Sequence, residues 1–122
     1  MSYQGEERLE WVTVGRVVEV PEGGIKEFSK LVRVVVVHRE GRFYGFDSVY
    51  PRMGGPLAEG SLVGSSICYP WHHYLFDLAT GENVHPGNVY PADLARELPS
   101  LTVRPVREIG GRLEVALKVG AR

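Results

Sequence analysis

VRPVREIGGRLEVALKV, residues 103–119, is the stretch from which the architecture of this chain is most directly read. Val103–Ile109 and Arg112–Val119 are separated by Gly110-Gly111, a pair that supplies the positive φ needed at both central positions of a tight hairpin turn. In the second arm Leu113, Val115, Leu117 and Val119 alternate with Arg112, Glu114, Ala116 and Lys118. That period of two turns one face inward and the other outward. Toward the N-terminus the same chemistry repeats. Leu31–His38 is almost continuous valine, too short and too β-branched for a helix, and an apolar run on both faces predicts a strand buried on both sides. Arg39-Glu40-Gly41-Arg42 turns it into Phe43-Tyr44-Gly45-Phe46-Asp47, a second hairpin. Glu10–Val20 reads as an opening strand stopped by the turn cluster Pro21-Glu22-Gly23-Gly24. Only Pro91–Leu98 has helical character, with a proline at a first turn and Leu94 and Leu98 on one face. The expectation is all-β, a small antiparallel sandwich or barrel, with an added loop or short helix over 88–100.

Composition bounds the function. The 122 residues suffice for one domain, spanning 1–122, with a hydrophobic core of its own. A net charge of −1 leaves no basic footprint for nucleic acid or an anionic membrane. The opening MSYQGEERLEW is polar and acidic where a secretion signal needs a basic end and an apolar stretch. Nothing approaches the roughly 20 apolar residues of a spanning helix. Cys68 is the single cysteine, so no intrachain disulfide can form, which suits a reducing cytoplasm. No nucleophile triad pattern, phosphate-cradling glycine loop or clustered carboxylate pair points to an enzyme.

Periodicity says nothing about the middle of the chain. Residues 50–82 instead carry Met53-Gly54-Gly55-Pro56-Leu57, then Tyr69-Pro70-Trp71-His72, then Phe76-Asp77 and Thr80-Gly81-Glu82. These frames resemble the two cluster-binding loops of Rieske [2Fe–2S] ferredoxins, whose pattern is Cys-x-His, a spacer and Cys-x-x-His. The resemblance extends to Glu10–Asp47 and to the last hairpin. It implies a Rieske-like fold with a two-loop subdomain over about 48–78.

Placed on that pattern, the first Cys falls on Tyr50, the first His on Arg52, the second Cys on Tyr69 and the second His on His72, with sixteen residues between Arg52 and Tyr69. Only His72 keeps its identity. In a Rieske centre two thiolates hold one iron and two imidazoles the other. A guanidinium offers no lone pair and brings a positive charge. A phenol, with a pKa of about 10, is a hard oxygen donor and a poor replacement for thiolate. Cys68, one residue from the expected position, points to the opposite face of a strand. No cluster, and no metal, is therefore expected.

The substituted residues also have plain structural readings. Tyr50 and Tyr69 would fill the space a cluster vacates, with their hydroxyls at the tips of two adjacent loops. Arg52 would brace its loop and His72 would be a remnant. Cys68 would be a small buried hydrophobe. His38 would be a surface residue at a strand end, and His73 and His85 would be solvated. A sharper alternative makes Tyr50, Tyr69 and His72, with an anion held by Arg52, a ferric site of transferrin type. Such a site needs a carboxylate that Asp47 or Asp77 would have to bring.

The resemblance implies a cluster-less accessory or regulatory protein of a ferredoxin/oxidoreductase system, similar in ligand loss to the small subunit of assimilatory nitrite reductase. Met53, Trp71, His73 and Tyr74, together with Tyr50 and Tyr69, would form an aromatic partner-binding tip. The competing expectation is electron transfer through an atypical metal centre.

Overall fold

A computed structural model describes residues 7–48, 56–70, 74–84 and 100–120. The helix expected over Pro91–Leu98 and most of the 88–100 segment lie outside these residues. Among the described residues ten strands form three antiparallel sheets. The first joins β1 (Glu7–Arg16), β10 (Arg112–Gly120) and β9 (Val106–Ile109), in that order. The second runs β2 (Ile25–Phe28), β3 (Val34–Arg39), β4 (Arg42–Asp47) and β8 (Val103–Arg104). The third is the small sheet β5 (Ser61–Val63), β6 (Ser66–Cys68) and β7 (Leu75–Asp77). No α-helix occurs among the described residues, only single 3₁₀ turns at Val17–Glu19 and Leu57–Glu59.

The valine run explains the layering. Val34 and Val36 sit in one core cluster with Phe28, Leu113 and Val115, while Val35 and Val37 sit in another with Phe46, Leu57 and Ile67. The second sheet is thus a shared wall with apolar layers on both faces, and all four valines are buried. Burying such side chains fully contributes on the order of 1.5–3 kcal/mol each, which is why an unbroken apolar run is stable as a strand here.

Both expected hairpins form. Gly110 and Gly111 have φ of 57° and 83°, the positive values a two-residue turn requires. In the β3–β4 turn the first central residue is Glu40 at φ 54°, followed by Gly41 at 77°. A non-glycine side chain there is strained, and the Glu22 carboxylate compensates by accepting the backbone N–H of Glu40 at 2.5 Å and of Gly41 at 3.0 Å. Those two donors hold the Glu22 carboxyl below the ordinary glutamate range. On the outer face of the first sheet Glu114, bonded by Arg107 at 2.8 Å, is lowered in the same sense, and the Arg107 guanidinium lies over Trp11 at 4.1 Å. Trp11 pairs with Ala116, which is buried although its place in the alternation is outward.

A carboxyl whose folded pKa is depressed contributes stability that is present above its unfolded pKa. That stability is lost as pH falls through the folded value. Glu22→Gln is therefore expected to flatten the loss of thermal stability on acidification from neutral pH through about 4.3, the ordinary glutamate pKa. Melting curves over that range check it, and an acid limb as steep as that of the parent chain would contradict it.

Three expectations are corrected. The opening strand ends at Arg16, not Val20, because β10 offers no partner beyond Arg112. Val17 bonds the Gly111 carbonyl at 2.9 Å and the chain turns there, leaving Val18 exposed. The 103–109 arm is two strands, since Pro105 has no N–H to donate. Val103–Arg104 pairs with β4 and Val106–Ile109 with β10, so the chain changes sheets at the proline. His38 is no loose surface residue. Its ring stacks on Phe43 at 4.1 Å, Nδ1 lies 2.8 Å from the Val20 carbonyl oxygen, and Nε2 lies 3.5 Å from Glu22.

Candidate functional site

Two loops leave the central wall and the small sheet, and their closures place the site. After β4 the chain passes Ser48 and returns at Pro56, where the Leu57 N–H bonds the Ser48 carbonyl at 3.1 Å. After β6 the Tyr69 N–H bonds the Tyr74 carbonyl at 2.7 Å, which holds together the two described residues that flank the second ligand-type segment. Leu57, Tyr69 and Tyr74 belong to one buried cluster with Phe46, Ile67 and Phe76, so both loops are rooted in the same apolar floor. Of the four ligand-type positions, Tyr69 is described. Tyr50, Arg52 and His72 lie outside the described residues, as do Met53, Trp71, His73 and His85.

Tyr69 is not at a loop tip. It is 0% exposed and meets the Phe76 ring edge-on, with centroids 6.5 Å apart. Tyr74 is also buried, at 6% exposure, and this removes it from the expected partner-facing surface. The physical reason is the same for both. They flank the loop at the ends of a three-residue hairpin sheet, and their large apolar rings cover the floor that the short strands cannot fill. Cys68 is half-buried, with its thiol 3.7 Å from the Tyr69 carbonyl oxygen.

The acids that a tyrosine-based ferric site would need are engaged elsewhere. Asp47 takes a two-point ion pair from Arg104, with Nε–Oδ1 2.7 Å and Nη2–Oδ2 3.2 Å. Asp77 accepts the N–H groups of Ala79 and Thr80 at 3.0 and 2.9 Å, together with the Thr80 hydroxyl at 3.2 Å, and so fixes the turn after β7. Neither the Asp47–Arg104 pair nor the burial of Ser48 was legible in the sequence, since the paired residues are 57 positions apart.

The donor set does not fit an iron–sulfur cluster. Where the Rieske pattern has a thiolate, this chain has a phenol packed within an apolar cluster. A phenol oxygen is a hard donor and a poor replacement for the thiolate that such a cluster requires. No chemistry through a cluster is assigned to these residues.

Comparison with known proteins agrees with the loop frames. Residues 10–102 match the Rieske [2Fe-2S] domain. The ferredoxin component of the alkene monooxygenase system of Xanthobacter autotrophicus is 31% identical over 87 residues, covering 69% of this chain and 70% of that protein. Among solved structures, the Sphingomonas yanoikuyae B1 ferredoxin superposes with a TM-score of 0.71 at 20% identity, over 88% of this chain and 99% of that one. A chain in the complex of reduced oxygenase and oxidized ferredoxin of carbazole 1,9a-dioxygenase gives 0.70 at 23% identity, over 87% and 92%. The fold is that of these ferredoxins, and the chain belongs to the Rieske [2Fe–2S] domain family.

Proposed function

We propose that this chain is a cluster-less member of its family, acting as an accessory or regulatory protein of an oxygenase or related oxidoreductase system rather than as its electron carrier. The observation that carries this reading is Tyr69, a fully buried phenol at a position where the family pattern has a thiolate. Sequence chemistry adds Tyr50 and Arg52 at two further ligand positions. The choice of partner rests on relatives: one is the ferredoxin component of a monooxygenase system, and another structure holds a ferredoxin with its oxygenase. With Tyr69 and Tyr74 buried, Tyr50, Met53, Trp71 and His73, which lie outside the described residues, remain the candidate contact residues, because Tyr and Trp are favoured at interface hot spots.

The test pairs binding with turnover. The purified chain is expected to bind the oxygenase component of a ferredoxin-dependent system from its own organism, and to give no product when it is the sole carrier between reductase and oxygenase. Adding it to the system's own ferredoxin should change the rate. Turnover supported by this chain alone would contradict the proposal.

A further inference from the structure

We propose that the open end between the first and second sheets is a binding site for a small uncharged molecule with one hydroxyl head and an apolar body. A groove of about 390 Å³ opens there, within the range of pockets that hold small ligands. It continues the core between the sheets: Val32, Val34 and Leu117 wall it, and all three belong to that apolar layer.

Its polar groups select the ligand. The Arg104–Asp47 pair lines the groove from the second sheet, and Arg33, also in the lining, is held by Glu27 at 2.9 and 3.1 Å. Both lining guanidiniums are paired with carboxylates, so among the described residues no unpaired charge faces the groove to attract an anion or a cation. Arg104 binds Asp47 through Nε and Nη2, and a guanidinium has five N–H groups, so donors remain for an oxygen head. Ser48 also lines the groove. It is 3% exposed, and its hydroxyl is buried with no hydrogen-bond partner among the described residues. An orphaned hydroxyl is costly, and rotation about χ1 between staggered wells would bring it to a ligand. A hydroxyl head can accept from Arg104 and exchange a bond with Ser48, while its body rests on the valine and leucine walls.

The test is an NMR titration of the full chain, labelled with ¹⁵N, against phenol, benzoate and benzene. Phenol is expected to give saturable amide shifts centred on Val34, Ser48, Arg104 and Leu117. Benzoate and benzene should bind about tenfold more weakly, one for its charge and the other for lack of a head. Ser48→Ala should weaken phenol by about the same factor while the rest of the spectrum is unchanged. Shifts that never saturate, or that centre elsewhere, would overturn the site. Benzoate or benzene binding as tightly as phenol would overturn the ligand class, and an unchanged affinity in Ser48→Ala would overturn the role of the hydroxyl.

Discussion

Tyr69→Ala is expected to lower the unfolding free energy by about 3–5 kcal/mol, the range for deleting a large buried aromatic side chain. The ring is fully buried, meets Phe76 edge-on and belongs to the cluster in which both loops are rooted. Its removal leaves a void among side chains whose backbone is fixed by two short strand pairs, so collapse into the space is restricted. Urea denaturation of parent and variant measures the difference, and a loss below about 1 kcal/mol would mean that the ring does not hold the floor.

The same burial alters what restoring the ligands should do. On sequence grounds Tyr50→Cys, Arg52→His and Tyr69→Cys, with His72 kept, rebuild the full set at unaltered spacing, and partial cluster uptake follows. The structure adds that Tyr69→Cys also removes most of a core ring. The triple variant is therefore expected to be strongly destabilised before reconstitution, and any recovery of stability should track iron uptake.

Gly60→Ala is the second large effect, at about 2–3 kcal/mol, the upper part of the range for overpacking. Gly60 has φ −77°, a conformation any residue adopts, so the cost is contact rather than backbone strain. An added Cβ would press on the Cys68 carbonyl oxygen, with the Leu57 carbonyl oxygen at 3.2 Å. Both are backbone atoms, one in β6 and one in the turn after the first loop, and neither can swing aside as a flexible side chain would. Gly64 is the control. It has φ 58° with open space around it, so Gly64→Ala tests strain alone, at about 1–2 kcal/mol. Thermal and urea unfolding separate the two, and a Gly60→Ala chain as stable as the parent would refute the close approach of the two loop bases.

How much was legible follows from how far each residue's partner lies along the chain. The Val34–Val37 run and the Glu40-Gly41 and Gly110-Gly111 turns declare themselves, because β-branching, period and turn chemistry are local. The strand Ile25–Phe28 escaped notice, since four residues give too short a pattern, and only its pairing with Val34–Val37 makes it a strand. Strands β5, β6 and β7, three residues each, are invisible to periodicity, and their region was placed by the loop frames alone. The substitution at Tyr69 was read from spacing. Its inward direction was not, because a loop position says nothing of which way a ring turns until the floor beneath it is known. The groove was hidden for a similar reason: Val32, Asp47, Arg104 and Leu117 meet only once Pro105 has moved the chain from one sheet to the other.

The most direct measurement is iron and acid-labile sulfide per chain, taken with the visible spectrum, on protein purified without oxygen. With Tyr50, Arg52 and Tyr69 at three of the four ligand positions, only trace iron and sulfide and no iron–sulfur absorption are predicted. Two irons and two sulfides per chain, with the absorption of a Rieske centre, would contradict the loss of the cluster and return this chain to the electron carriers of its family.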